Sequence, residues 1–140
     1  MIKALNYIHE RQIIHLDLKP QNIMMRSRRD EFKIKLIDFG LARKLERGRV
    51  KTGFVGTVGF MAPEIARSQY GSNEQDYATI ATDLFSMGVI AYMLVSGGLE
   101  PFWDGNDVRA IKNTLKKEVT FPRSEFENVS KDAKEFIKSK

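Results

Sequence analysis

IIHLDLKPQNIMM, residues 13–25, decides how this chain is read. Pro20 has no amide hydrogen to give and rules out an uninterrupted helix, while Asp17, Lys19 and Asn22 crowd among apolar anchors. The pattern predicts a polar loop held by short strands. Just downstream, Phe32, Ile34 and Leu36 alternate with Lys33, Lys35 and Ile37, the period of a half-buried strand. That strand is expected to pair with Ile23 to Met25 across a polar turn at Arg28 to Glu31. Asp38, Phe39 and Gly40 follow it directly. Two carboxylates, an ammonium and an amide therefore converge. Hard oxygen ligands in small number, with room left for waters and substrate oxygens, suit Mg²⁺ held with a polyphosphate better than zinc or calcium.

Ile2, Leu5 and Ile8 recur at helical spacing with no capping residue before them, so the chain is expected to open inside a short amphipathic helix of a truncated domain. From Asp38 to Glu64 the sequence is polar, glycine-rich and nearly without periodicity; a loop that long inside a domain is usually functional. Gly53, Gly56 and Gly59 fit neither G-x-G-x-x-G nor Walker A and read as flexible-loop positions. Thr79 or Thr82 can cap a helix through Leu84 to Val95, apolar on nearly every face and ending at Gly97 and Gly98, which is expected to be the buried central helix. Asp107 to Lys117 carries Val108, Ile111 and Leu115 on one stripe, and Ser130 with Ala133, Phe136 and Ile137 starts a last helix.

Composition narrows the function class. The 140 residues fit one domain, and 42% hydrophobic residues with nine Phe, four Tyr and one Trp exclude a disordered tail. The absence of cysteine removes disulfides, thiolate metal sites and thiol catalysis, and fits a reducing cytosolic setting. The two histidines, His9 and His15, make a poor zinc pair; His9 is expected at the surface. The net charge is +5, and the 23 Lys and Arg are spread over several segments instead of forming one block. Arg26, Arg28 and Arg29, and the set Arg43, Lys44, Arg47, Arg49 and Lys51, read as solvated cations, not a nucleic-acid patch. The start resembles no secretory signal, and the longest apolar run, Val89 to Val95, is far short of the ~18 residues of a membrane span. A soluble, cytoplasmic protein is expected, binding neither membrane nor nucleic acid.

HLDLKPQN at His15 to Asn22, DFG at Asp38 to Gly40 and APE at Ala62 to Glu64 resemble the signature set of the eukaryotic protein kinases. DLFSMG at Asp83 to Gly88 resembles a further kinase segment, so the resemblance covers essentially the whole chain. It implies a mainly α fold with a small β-hairpin, the C-terminal lobe of a protein kinase-like fold with the N-terminal lobe absent. Residues 1–140 would then be a partial kinase domain, with a catalytic loop at 15–22 and an activation segment at 38–64. By the resemblance, Asp17 accepts the proton of the substrate hydroxyl and Lys19 neutralises the transferring phosphoryl group, while Asn22 and Asp38 hold Mg²⁺. Thr57 supports Asp17 and Lys19 at the catalytic site. ATP would meet Lys19, Gln21, Asn22, Met24 and Asp38, with Met24 as apolar floor for the adenine. Lys19 and Thr57 are serine/threonine-type choices. The closest resemblance is to the calcium/calmodulin-dependent group, in the branch of the myosin light chain, death-associated and titin-like kinases, with Leu16 as the main clue.

The implied activity is transfer of the ATP γ-phosphate to Ser or Thr of protein substrates, with a calmodulin-type regulator acting through a segment outside this chain. Departures from the family pattern qualify it. The 140 residues contain no Gly-rich loop and no V-A-I-K lysine, which implies low activity of the chain alone and leaves, as the alternative, a non-catalytic truncated module that docks or competes. Leu16 stands where most kinases carry an Arg that pairs with a phosphorylated activation segment. Between Asp38 and Glu64 the hydroxyl side chains are Thr52 and Thr57, so Thr52 is the one candidate phosphosite. Glu64 is expected to lack its usual Arg partner, and Gln21 leaves peptide preference open. A glycosidase reading of Asp17 with Asp38 leaves Lys19, Asn22 and DFG unexplained. His15 reads as a packed imidazole beside Phe39.

Overall fold

The computed structural model describes residues 1–27, 30–71, 77–116 and 118–139. Arg28, Arg29, Lys117 and the side chain of Phe32, on which some expectations rest, lie outside the described residues. Helix α1 (Ile2–His9) buries Leu5 and Ile8 and leaves Ile2 exposed. Strand β1 (Ile13–Ile14) leads into the 15–22 loop, which closes in a single 3₁₀ turn at Pro20–Asn22 with Pro at its start. Proline is tolerated there because the first turn needs no donor.

Strands β2 (Ile23–Ser27) and β3 (Asp30–Leu36) form the expected antiparallel hairpin, with Ile23 opposite Leu36 and Met25 opposite Ile34. Past it the structure departs from the expected featureless loop. Strand β4 (Arg43–Lys44) pairs with β1, and β5 (Val50–Lys51) pairs with β6 (Tyr77–Ala78). Two-residue strands have no periodicity to detect, and their partners lie far along the chain. Helix α2 (Pro63–Arg67) starts at the proline of APE and buries Ile65 and Ala66.

Helix α3 (Ile80–Ser96) is the axis of the molecule. Thr79 caps it, accepting from the Ala81 amide at 3.2 Å, and the Thr82 hydroxyl reaches back to the Thr79 amide at 3.1 Å. This reciprocal pair satisfies two otherwise orphaned donors. Gly97 ends the helix with φ 75°, and the Gly98 amide reaches back to the Met93 carbonyl at 2.8 Å, a left-handed stop that glycine adopts without Cβ strain. Burial is less complete than expected, since Leu94 is 78% exposed in the last turn. Helix α4 (Asp107–Lys116) buries Ala110, Ile111 and Thr114, and Val108, assigned to the apolar stripe, is instead exposed. Two short helices, α5 (Arg123–Phe126) and α6 (Lys131–Lys138), pack Phe126 and Ile137 beside Tyr92 of α3. Ser130 caps α6, accepting from the Ala133 amide at 3.2 Å.

Three apolar clusters result. One joins α1 to α3 through Leu5, Ile8, Leu18, Phe60, Met87 and Ile90. A second lies under the 38–64 segment: Ile14, Leu16, Leu45, Met61, Ile65, Ala78 and Ile111 are buried, with Val50, Val55 and Val58 packed against them. The third is the Tyr92, Phe126 and Ile137 group. Glu64, expected to lack its usual Arg partner, accepts a hydrogen bond from the Thr82 hydroxyl at 2.8 Å. Ser86 donates to the Phe60 carbonyl at 2.7 Å, so α3 pins the end of the segment twice. Among the described residues no helix is long and apolar enough to cross a membrane.

Candidate functional site

The 15–22 loop takes its shape from a carboxylate on α3. Asp83 is 1% exposed; its Oδ2 accepts from the His15 amide at 2.9 Å and its Oδ1 from the Leu16 amide at 3.0 Å. These bonds hold Leu16 at φ 67°, a left-handed conformation that costs a side chain-bearing residue ~1–2 kcal/mol. His9 Nε2 lies 2.8 Å from the same Oδ2, with a side chain only 10% exposed. The expectation of a surface His9 is corrected: a buried carboxylate needs partners on all sides, and α1 supplies one. His15 is fully buried. Its Nε2 donates to the Ile37 carbonyl at 3.0 Å and its Nδ1 accepts from the Asp17 amide at 3.3 Å, a pairing that fits one neutral tautomer. The ring lies 4.8 Å from that of Phe39.

Four of the expected residues meet directly. The Thr57 hydroxyl donates to Asp17 Oδ1 at 2.5 Å. Lys19 Nζ donates to Thr57 Oγ1 at 2.8 Å and lies 2.9 Å from Asp17 Oδ2. Asn22 Nδ2 donates to the Asp17 carbonyl at 2.8 Å and to Asp17 Oδ2 at 3.1 Å. Burial on its own would raise the Asp17 carboxyl, but the Thr57 hydrogen bond, the Lys19 hydrogen bond and charge, and the Asn22 amide together hold it below its ordinary 3.8. Asp17 is therefore an ionised acceptor at neutral pH.

Counting valences shows what remains. A carboxylate offers about four lone-pair sites, and Asp17 spends one on Thr57, one on Lys19 and one on Asn22. An ammonium has three donors, of which Lys19 uses two. Both side-chain amide hydrogens of Asn22 are committed, which leaves its side-chain oxygen, Oδ1, without a partner among the described residues. Asp17, Lys19 and Asn22 thus each keep one unused position.

Asp38 joins through the backbone. The Ile37 amide donates to the backbone carbonyl of Asn22 at 3.0 Å, which brings the end of β3 beside Asn22. Asp38 sits at φ 60°, exposed, with its Oδ1 accepting from the Gly40 amide at 3.3 Å. Met24 is 53% exposed on β2, and Gln21 is exposed in the 3₁₀ turn; neither belongs to the Asp17 network. Within the cluster Asp17 and Asn22 are buried and Lys19 and Thr57 half-buried. A half-open pocket of about 300 Å³ between α2, α3 and α6 is lined by none of these residues.

Among the described residues no group of three or more His, Cys, Asp or Glu makes a metal cage. Asn22 Oδ1 and the Asp38 carboxylate are two hard oxygen donors, too few for an all-protein site. That number fits Mg²⁺ completed by phosphate oxygens and water.

Gly56 was read as a flexible-loop position, and the structure corrects this. Its φ is 103°, and a Cβ there would lie 2.6 Å from the Leu16 carbonyl oxygen, so the residue marks the close approach of two backbones. Asp83, His9 and Gly56 are the positions whose importance local pattern did not reveal, although DLFSMG flagged the segment holding Asp83.

The protein kinase domain family matches residues 1–140. Zebrafish (Danio rerio) "Myosin light chain kinase 3" is 44% identical over 98% of this chain, which covers 18% of that protein. Human "Myosin light chain kinase family member 4" is 43% identical over 96% of the chain, covering 32% of that protein. "Death-associated protein kinase dapk-1" of Caenorhabditis elegans is 39% identical over 98% of the chain and is covered to 9%. The chain thus spans a third or less of each of these relatives, and they fall in the branch to which HLDLKPQN and Leu16 pointed. With the whole of its length matched, the chain belongs to the protein kinase domain family.

Proposed function

We propose that this chain is the catalytic-loop portion of a serine/threonine protein kinase, serving transfer of the ATP γ-phosphate to Ser or Thr hydroxyls of protein substrates. The observation that carries the reading is the set of unused valences on Asp17, Lys19 and Asn22. Asp17, kept ionised by its neighbours, accepts a hydrogen bond from the substrate hydroxyl at its one free lone pair and so orients the oxygen for in-line attack. Lys19 offers its third N–H to an oxygen of the transferring group and follows its charge. Thr57 bridges the two, which keeps their spacing fixed as charge moves.

Asn22 and Asp38 would hold Mg²⁺, which when bound neutralises charge on the phosphate oxygens. Met24 and Gln21, exposed on β2 and in the 3₁₀ turn before it, serve ATP. Lys19 and Thr57 are the support for a Ser or Thr acceptor over Tyr. The same reading makes the protein cytoplasmic and gives it a calmodulin-type regulator acting from outside these 140 residues.

A second reading, a non-catalytic module that docks or competes, has one specific observation in its favour: the 140 residues contain neither G-x-G-x-x-G nor V-A-I-K, on which ATP clamping in the family depends. Low turnover by the 140 residues alone follows from either reading. The test is transfer of label from γ-labelled ATP, with Mg²⁺, to Ser, Thr and Tyr peptides by the kinase domain that contains this chain. Label on Ser or Thr is expected; no transfer, or transfer to Tyr alone, refutes the proposal.

A further inference from the structure

Most of the chain's net charge is carried by one short stretch. Arg43, Lys44, Arg47, Arg49 and Lys51 face a single carboxylate, Glu46, an excess of four against a total of +5. All six side chains are exposed. Glu46 and Arg49 exchange backbone hydrogen bonds of 2.8 and 3.2 Å, and positive φ at Arg47 (52°) and Gly48 (82°) closes the turn between them, as tight hairpins require. β5 follows and lies beside β6, with Lys51 opposite Tyr77.

An open groove of about 810 Å³ results, lined by Glu46, Arg47, Arg49, Val50, Lys51 and Tyr77. The Arg49 guanidinium sits 4.4 Å over the Tyr77 ring, which fixes its plane and uses none of its donors. Among the described residues, Lys44, Arg47, Arg49 and Lys51 have no carboxylate partner. Lys51 is also close to the chemistry. Only residues 52–56 separate it from Thr57, whose hydroxyl is bonded to Asp17. At ~3.5 Å per residue that span is at most about 20 Å.

We propose that this groove docks an acidic segment of the protein substrate, on the same polypeptide as the hydroxyl to be phosphorylated. The proposal rests on the kinase reading for the word substrate, and on the groove for its chemistry. Guanidinium forks match carboxylates pairwise. A single-stranded nucleic acid gains affinity from an aromatic face on which its bases stack, and Arg49 already lies over that of Tyr77. A membrane surface would need inserting apolar side chains, and the lining supplies one half-buried Val50.

The test is direct binding to the 140-residue chain at low ionic strength, read by fluorescence anisotropy without nucleotide. The probes are a labelled peptide of alternating Glu and Ser, an oligo-dT strand of matched charge, and vesicles of phosphatidylserine with phosphatidylcholine. The groove variant is Arg47→Gly, Arg49→Gln and Lys51→Gln together, three cations of the lining. The control, Lys3→Gln, Lys112→Gln and Lys116→Gln together, removes as many charges elsewhere. Arg47→Gly alone is the second groove variant, because glycine suits φ 52° and leaves the fold unstrained.

The peptide is expected to bind the wild type more tightly than the other probes do. Its affinity should fall about tenfold in the triple groove variant, the scale of a few exposed charge pairs, fall partly with Arg47→Gly, and hold within about twofold in the control. No binding of the peptide, equal losses in groove variant and control, or tighter binding of oligo-dT or vesicles overturns the proposal. Phosphate transfer is not read, so the kinase reading stands or falls separately.

Discussion

Truncating Leu16 to alanine tests the idea that the 38–64 segment is held by packing and not by a phosphate. Leu16 is 7% exposed and shares a cluster with Leu45 and Met61, against which Val50, Val55 and Val58 pack. Removing three carbons forfeits ~0.8 kcal/mol each, about 2.4 kcal/mol in transfer, and the cavity left behind brings the cost to about 3 kcal/mol. The backbone strain at φ 67° is unchanged, because alanine pays it as leucine does. Leu16→Met conserves volume and should cost less than about 1.5 kcal/mol.

Two assays read this: the denaturation midpoint of the chain, and hydrogen exchange at the Leu45 amide, which is bonded to the Gln12 carbonyl at 2.7 Å. If the loss falls on segment opening, 3 kcal/mol speeds that exchange about 100-fold. A Leu16→Ala variant within about 0.5 kcal/mol of wild type, with Leu45 protection unchanged, would refute the packing argument.

Gly56→Ala places a Cβ 2.6 Å from the Leu16 carbonyl oxygen at φ 103°; we expect a loss of about 2 kcal/mol or more, and a melting temperature unchanged from wild type would contradict the close approach. Thr52 Oγ1 is buried with no hydrogen-bond partner among the described residues, so Thr52→Val should leave stability equal or raised. Thr52→Ala should leave phosphotransfer by the complete kinase nearly unchanged; a large loss reversed by Thr52→Glu would establish it as a regulatory phosphosite. The Asp17 carboxyl is held below 3.8 in the folded chain, so its contribution to stability is present above that pH and disappears as pH falls through the lower folded value. The stability gap between wild type and Asp17→Asn should therefore close in acid, and a gap constant with pH would refute the carboxylate's role in holding Lys19 and Thr57.

What local pattern could reveal depended on the range of the interaction. The β2–β3 hairpin shows as an alternation, and α3 shows its cap at Thr79 and its stop at Gly97, because those signals lie within a few residues. Asp17, Lys19 and Asn22 were legible as a polar group in an apolar frame, and Thr57 entered through the family resemblance. By contrast, the β5–β6 pairing joins Val50 to Ala78, and a two-residue strand has no period to detect. His9 follows directly on the buried Ile8, but its partner Asp83 lies far along the chain. Val108 matched a helical stripe, yet α4 turns Ala110, Ile111 and Thr114 inward; a short amphipathic pattern allows neighbouring faces, and packing against α2 chooses between them. Gly56 looked like any loop glycine until the carbonyl of Leu16 stood beside it.

The central claim is that Asp17 orients a substrate hydroxyl for phosphoryl transfer, and Asp17→Asn in the complete kinase domain measures it most directly. The amide keeps the shape and an acceptor oxygen for Thr57 but loses the charge that Lys19 and the substrate hydroxyl read. With Mg²⁺ and ATP, kcat toward a Ser or Thr peptide should fall by about 10²-fold or more, while nucleotide affinity stays within about twofold because Asn22 and Asp38 are untouched. A variant that keeps wild-type kcat with its fold intact would contradict the account.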